Sequence, residues 1–512
     1  MERPVPDSPP ADAAPIQSVP FCPAPLRRNV LSAAILASAL GFIDGSVVSV
    51  ATPAIRADLG ATLSAAQWIA NAYALTLSAL ILVGGGAGDR FGLKRTLTGG
   101  IVLFIAASLV CAFAPDAPFL IGARALQGIG AAFMVPGSLA IIAKAYPKSE
   151  RGRAIGIWAA ASALTTAIGP VIGGFALTLF GDAAWRGIFA INLPLGLLAI
   201  GLLARVPADR PTERRSLDLT GAGLATLAFG ALAYGLTGAA GERDGAAQYE
   251  VAIALALGLA ALAVFVVFEL RRAEPMVDLT LFRITAFAGA NAATFALYFA
   301  LSAILFYLPM LLIAAWKVDP ATAGFVFFPL SAAIALLSGP VGRLSDRLGA
   351  RVPMTVGSLM VAVAFGSLAA IAAAGIHHFW TAVFPAMVLM GLGMAFVVSP
   401  LSAAVMTSVE DEDTGAASGI NNAVARIAGL IAVAAMGSLA AWLYASTLGG
   451  DAASAPAFGE AGPNLPPALE AARLAASDRA FAGVAACMAA LCLVSALLSW
   501  TTQPAPARKS DA

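Results

Sequence analysis

Long apolar runs, separated by short polar or charged turns, fill the chain from residue 30 to residue 500. A helix needs about 20 apolar residues to cross the hydrocarbon of a bilayer. Runs of about that length lie at 30–53, 66–88, 96–114, 118–143, 154–179, 185–204, 218–238, 250–269, 286–313, 321–341, 352–374, 380–406, 415–443 and 479–500. The pattern predicts fourteen transmembrane helices, of which the glycine-rich run at 218–238 is the weakest.

Two of the turns are copies of one another. Residues 85–95 read GGAGDRFGLKR and residues 342–351 read GRLSDRLGAR. Both fit G-x-[AL]-x-D-R-x-G-x-[KR], the first after span 2 and the second after span 10. A charged turn repeated at one place in each half of an apolar chain marks a duplicated membrane protein, the usual build of secondary transporters. The offsets call for six spans, two extra spans, then six. The expected all-α membrane protein therefore divides into a disordered cytoplasmic tail (1–27), a six-helix bundle (28–205), a linker with two additional helices (206–284), a second six-helix bundle (285–500) and a cytoplasmic tail (501–512). The linker enters through RVPADRPTERRSL at 205–217. The Pro-, Gly- and Ala-rich segment 444–478 is expected to be a long external surface loop with little core.

Composition agrees with a lipid solvent. The chain is 60% hydrophobic and 12% charged, with a mean hydropathy of +0.86. Soluble domains carry about 25% charged residues. A net charge of +1 offers no basic footprint for nucleic acid. The Pro/Ala-rich segment 1–25 lacks the pattern of a signal peptide. Cys22, Cys111, Cys487 and Cys492 form no C-x-x-C pair, so neither a metal site nor a structural disulfide is expected.

Placing the N-terminus in the cytoplasm puts most of the 30 basic residues on the inner side, including Arg27, Arg28, Arg90, Lys94, Arg95, Lys144, Lys148, Arg151, Arg153, Arg271, Arg272, Arg343, Arg347 and Arg351. Arg56, Arg186, Arg243, Lys317, Arg473 and Arg479 fall outside. This asymmetry is the positive-inside pattern. It predicts a bacterial inner-membrane protein with both termini cytoplasmic. His377 and His378 fall in an outer loop and are expected to be solvated.

Arg124 and Arg426 are the basic residues inside spans, and Asp44 is an acid inside span 1. A charge at that depth costs several kcal/mol and usually has a function. At about 1.5 Å per residue, Asp44 stands roughly 21 Å above Val30, which leaves roughly 9 Å to the outer face of a 30 Å core. Arg124, entering from Pro118, reaches a similar depth. The two are expected to pair if their helices are neighbours. Burial raises a carboxyl pKa and a guanidinium lowers it, so Asp44 fits a proton carrier; an ion pair that merely locks spans 1 and 4 is the alternative. In span 5, GPVIGG at 169–174 gives a proline bend with close-packing glycines, either at a moving interface or in plain helix packing. Asp89 and Asp346 in the repeated turns could cap the following helices, with the neighbouring cations at carbonyl ends, as a latch or as an anchor to lipid headgroups. Arg426 in span 13 stands near the midplane with no evident partner in its own span, so it should face a cavity or a distant acid; it is expected either to bind an anion or orient the substrate, or to make a structural hydrogen bond to nearby carbonyls. Gln127, Asn71, Tyr73, Asn291, Tyr298, Asn421 and Asn422 are weaker pocket candidates. No G-x-x-x-x-G-K-[ST], H-E-x-x-H or G-x-S-x-G occurs, so an ion or substrate gradient must supply the energy.

These residues resemble the major facilitator superfamily, and within it the fourteen-span drug:proton antiporter family, over residues 28–443. Gly85, Asp89, Arg90, Gly92 and Lys94 match the signature of the loop between spans 2 and 3, and Gly342, Asp346, Arg347, Gly349 and Arg351 form its second copy. RALQGIGAA at 124–132 resembles the span-4 motif, whose arginine is implicated in proton translocation. Gly169, Pro170, Gly173 and Gly174 resemble the antiporter motif of span 5. FIDGSVVSVATPAI at 42–55 and WRGIFAINLPLG at 185–196 resemble motifs of the fourteen-span group. Ala87, Leu93, Thr52 and Thr165 depart from the usual residues. The resemblance implies alternating access between two bundles and proton-driven export of small amphipathic drugs or toxic compounds, hence antibiotic resistance. Asp44 and Arg124 would couple protons, the repeated turns would form the cytoplasmic gate, and Gln127, Asn291, Tyr298, Asn421, Asn422 and Arg426 would line the pocket. With no nucleotide-binding, metal or catalytic motif in the chain, no cofactor and no catalysis are expected. The expected partners are a small-molecule substrate, protons and the bilayer, for a monomer working alone or with periplasmic partner proteins. Export of one metabolite, siderophore or lipid, and a non-transporting membrane receptor, are the competing readings.

Overall fold

A computed structural model describes residues 21–209, 211, 217–238, 245–272, 275–410, 413–450, 455–462 and 465–504. The first 20 residues, part of the linker around 212–216, and the tail from 505 lie outside the described residues. The chain is packed ahead of residue 27: Cys22 is buried, Phe21 and Leu26 lie against the first bundle, and Ala24–Leu26 form a turn of 3-10 helix that runs into span 1.

The described residues contain 14 helices long and apolar enough to cross a membrane. In order they are Ala24–Leu59, Leu63–Phe91, Leu93–Ala112, Ala117–Ala145, Ser149–Phe180, Asp182–Ala204, Leu219–Gly238, Gln248–Arg271, Thr285–Ala315, Pro320–Leu348, Arg351–Ala373, Phe379–Thr407, Thr414–Leu448 and Pro467–Thr502, here spans 1 to 14. Each expected run has its helix. Prolines stand inside spans 1, 4, 5, 9, 10 and 12, at Pro53, Pro136, Pro170, Pro309, Pro340 and Pro400. Each removes one backbone donor from its helix. After Pro309 the chain relaxes into a π-helical turn at Leu311–Ala315.

Spans 1 to 6 pack among themselves, and spans 9 to 14 repeat the arrangement. Span 2 lies on 4, 3 on 4, 1 on 5 and 3 on 6; in the second half 10 lies on 12, 11 on 12, 9 on 13 and 11 on 14. The duplication extends to single residues. A methyl group on Gly100 would meet the Gly130 carbonyl at 2.9 Å, and one on Gly357 would meet the Gly393 carbonyl at 2.5 Å. In hydrocarbon, where no hydrophobic force joins apolar helices, such small residues permit the close approach that does.

The halves meet along two seams, span 5 on span 10 and span 2 on span 13. Span 7 lies on the second seam, touching both span 2 and span 13, and span 8 packs on span 7. The most apolar windows of spans 7 and 8 are only 33% and 22% buried, which leaves them largely to lipid.

The segment 444–478 is not the expected surface loop. Span 13 runs to Leu448 and span 14 starts at Pro467. Phe458, Arg473 and Asp478 are buried. Its Pro/Gly/Ala composition looks like a free loop, but the buried Phe458 ring and the ion pairs that Glu460 and Glu470 make with the buried Arg56 and Arg473 hold it down. Nor is His377 simply solvated: its ring lies 4.8 Å from that of Trp316, and both bond the Asp478 carboxylate, at 2.8 Å and 2.6 Å.

Candidate functional site

Asp44 faces Arg124 in the first bundle, and each side chain is 1% exposed. The Arg124 Nη1 donates to Asp44 Oδ2 and, at 2.6 Å, to Gln127 Oε1. The Gln127 Nε2 donates to Asp44 Oδ1 at 2.8 Å. Both oxygens of the carboxylate are therefore occupied. Span 4 supplies Arg124 and Gln127 from one face, because residues three apart in a helix are neighbours. The network continues outward. Gln127 Nε2 also reaches Ser108 Oγ at 3.2 Å, Asn192 Nδ2 donates to the same oxygen at 2.8 Å, and Ser108 donates to the Phe189 carbonyl at 2.9 Å. Arg124 Nε donates to the Ile69 carbonyl at 3.0 Å, and its Cζ lies 4.4 Å from the Tyr73 ring centroid, a cation–π contact. Spans 1, 2, 3, 4 and 6 thus converge on one carboxylate. Gln127 is fully buried in this network and holds the carboxylate. Ser108 and Asn192 were not singled out in the sequence.

A buried ion pair loses its hydration on both sides and holds only when further hydrogen bonds satisfy it. Here they do, so the pair is a stable resting arrangement.

The span-5 motif touches this site from one side and the seam from the other. A methyl group on Gly169 would lie 3.2 Å from Ile43 Cα, the residue next to Asp44, and one on Gly173 would strike Val47. Gly174 abuts the Pro320 carbonyl of span 10, while Gly324 of span 10 abuts the Pro170 carbonyl. The Ala321 N–H donates to Thr178 Oγ1 at 3.1 Å across the same seam. The other seam is held by Gln67, whose Nε2 donates to Tyr307 Oη at 2.9 Å and to the Val433 carbonyl at 2.6 Å. Tyr307 itself donates to Val433 O at 2.5 Å. Arg56 adds a third inter-half contact: it bonds the Phe458 carbonyl at 2.7 Å and the Glu460 carboxylate at 2.6 Å. Arg473 bonds the Glu460 carbonyl at 3.1 Å and the Glu470 carboxylate at 2.7 Å. All of these contacts lie toward the membrane face opposite the repeated turns. Arg56 and Arg473, expected among outer-loop charges, are buried parts of this closure.

The repeated turns pivot on Gly92 and Gly349, whose φ angles of +93° and +74° lie in the left-handed region. The cap on span 3 departs from expectation. The Leu93 and Lys94 N–H groups donate to the two oxygens of Asp209, at 2.9 Å and 3.0 Å, rather than to Asp89. Lys144 Nζ meets Asp209 at 3.0 Å, and Lys94 Nζ donates to the Val206 carbonyl at 2.5 Å. Burial alone would raise the Asp209 pKa, but these N–H groups and the Lys144 ammonium outweigh it and hold the carboxyl below its usual range. In the second copy Asp346 is exposed, span 11 has no side-chain cap, and Arg351 stacks on Trp500 with its Cζ 3.9 Å from the ring centroid. The two copies share a backbone turn but not their partners.

The remaining pocket candidates divide. Asn421 Nδ2 donates to Asn291 Oδ1 at 3.1 Å and to Thr294 Oγ1 at 2.8 Å, which ties span 13 to span 9. Asn422 is exposed. Arg426 and Tyr298 are part-buried, and the Tyr298 and Tyr73 hydroxyls both lie close enough to act on the Arg426 charge.

The family pattern of the Major Facilitator Superfamily matches residues 34–433 and 290–512. The chain is 35% identical over 419 residues to multidrug resistance protein Stp of Mycobacterium tuberculosis, covering 80% of this chain and 76% of that protein. It is 32% identical over 421 residues to the methylenomycin A resistance protein of Streptomyces coelicolor, covering 81% and 87%. Among solved structures, a bacterial homolog of the human lysosomal transporter Spinster, in an inward-facing and unoccupied conformation, aligns with a TM-score of 0.66 at 16% identity, covering 95% of this chain and 100% of that one. That last likeness concerns the fold alone.

Proposed function

Since the chain belongs to the major facilitator superfamily, we propose that it exports small amphipathic toxic compounds, antibiotics among them, in exchange for protons. It is a multi-pass membrane protein that moves cargo and is not an enzyme. The observation that carries the reading is the Asp44 carboxylate, buried at membrane depth and held by Arg124 and Gln127. Two relatives named for drug and antibiotic resistance support the cargo class.

In this reading the repeated turns and both termini face the cytoplasm of a bacterial cell, and the Gln67 and Arg56 contacts close the outer side. Cargo enters from the cytoplasm. Rocking of the halves then breaks the outer contacts, and a proton reaches Asp44 from outside. Neutralising Asp44 loosens Arg124, and the change passes through Ile43 to Gly169 and so to the seam between spans 5 and 10. The monomer is the working unit, alone or with periplasmic partner proteins.

The test uses inverted membrane vesicles. Addition of cargo should release protons through the unaltered protein, and Asp44→Asn should abolish that release while the protein still inserts. Normal coupling in Asp44→Asn would overturn the assignment.

A further inference from the structure

Arg426 stands roughly 18 Å along span 13 from Thr414, at the level of the membrane interior. Among the described residues it makes no hydrogen bond and no ion pair, and its Nε is buried without a partner. The charged or titratable groups close enough to act on it are two hydroxyls, Tyr73 of span 2 and Tyr298 of span 9. No carboxylate is among them. Asp44, an acid of the same interior, is already taken by Arg124 and Gln127.

A second unmet donor lies nearby in the fold. Asn71 Nδ2 is buried and has no partner. Asn71 is one helical turn from Gln67 on the same face of span 2, and Arg426 is two turns from Val433 on span 13. Gln67 and Val433 are in contact. Both unmet donors therefore sit on the facing stretches of spans 2 and 13, on the turn side of the closure. Asn422, one turn before Arg426 on the same face, is exposed. Tyr73 is shared: its ring stacks on Arg124, and Arg426 acts on its hydroxyl.

A cation in a low-dielectric interior calls for a counter-ion or a full set of acceptors. The protein supplies neither, and what remains unmet is donors. We propose that the exported cargo is an amphipathic organic anion whose acid group docks on Arg426, near the Tyr73 and Tyr298 hydroxyls, with Asn71 as a second donor. This deepens the export reading above and rests on it. The charge sense fits export. An anion leaving and a proton entering both carry positive charge inward, so an inside-negative potential drives both.

The test is binding to the purified full-length protein of three probes with one apolar body: 1-pyrenebutyrate, its uncharged methyl ester, and the matching pyrenylbutyl trimethylammonium. Energy transfer from tryptophan to pyrene reports occupancy. Pyrenebutyrate should bind tightest. Arg426→Gln should weaken it about thirtyfold or more, as expected when one partner of a buried charge pair is removed, and should leave the other two within about threefold. Arg426→Lys should recover part of the loss, and unchanged melting of both variants would exclude a folding defect. Tightest binding of the ammonium, equal loss of all three probes in Arg426→Gln, or no pyrenebutyrate binding to the unaltered protein would each overturn the proposal. Proton release in vesicles is scored separately with Asp44→Asn. A coupled exporter that prefers the ammonium would refute the anion and leave export standing; absence of cargo-driven proton release from the unaltered protein would refute coupled export itself.

Discussion

The Pro170 carbonyl faces Gly324 across the seam between spans 5 and 10 so closely that a methyl group on Gly324 would come within 2.6 Å of it. Backbone cannot yield as a flexible side chain can, and overpacking of this kind costs about 1–3 kcal/mol. Gly324→Val should therefore prop the seam open. Transport should fall at least about tenfold, since 1.4 kcal/mol is a factor of ten in an equilibrium. A thiol placed by Thr178→Cys, at the same seam, should become more reactive to a water-soluble maleimide. Unchanged reactivity would show that the seam tolerates the side chain.

Gln67 makes its contacts to Tyr307 and Val433 across the other seam. Gln67→Leu keeps most of the volume and removes the donors. Each lost bond is worth about 0.5–1.5 kcal/mol, and Tyr307 retains its own bond to Val433. The closed state should weaken without collapsing. Amide hydrogen exchange over residues 430–440 should speed up, with little change in overall melting.

Arg124 and Asp44 are fully desolvated together. Arg124→Ala should leave a buried, uncompensated carboxylate and destabilise the protein by about 3–5 kcal/mol. The pair Asp44→Asn with Arg124→Gln should be much less destabilised than Arg124→Ala alone, because no charge is stranded. Thermal unfolding in detergent separates the two outcomes; equal losses would mean that the pair is not electrostatically coupled.

Asp209 is held below its usual pKa by the Leu93 and Lys94 N–H groups and by Lys144, against the opposing effect of burial. A depressed folded-state pKa contributes stability above the ordinary carboxylate range, and that stability is lost as pH falls through the depressed value. The anchor of span 3 should thus be intact at neutral pH and released below about pH 4. Asp209→Asn should lose about 1 kcal/mol at pH 7, the usual worth of a helix cap, and should lack this acid-dependent step. Melting measured from pH 3 to pH 7 in both proteins would check it.

Much of the plan was legible because membrane burial makes charge informative. The fourteen spans follow from apolar length, and the extra pair from the offsets of the two turns. Asp44 and Arg124 could be placed at one depth by counting residues along two helices. Less legible were Ser108 and Asn192, since hydroxyl and amide side chains are common in membrane helices and only the fold turns them toward Gln127. Arg56 looked like a loop charge because its acceptors, the Phe458 carbonyl and the Glu460 carboxylate, lie far along the chain, and Arg473 because only the fold brings the Ala314 and Glu460 carbonyls to it. The aspartates of the repeated turns looked like caps for the helices that follow. The cap instead comes from Asp209, in a linker whose composition gives no hint of it.

Span 7 covers the seam between spans 2 and 13, and among the described residues no further helix lies over the seam between spans 5 and 10. The duplication is nearly two-fold inside, but the outline presented to the membrane is lopsided. Seen from the plane of the bilayer, the molecule has a shuttered flank and a bare one. Acyl chains press on span 7 on the first side and on the moving joint itself on the second. Lipid composition should therefore reach the cycle mainly through the bare flank, the one that carries Gly174 and Gly324.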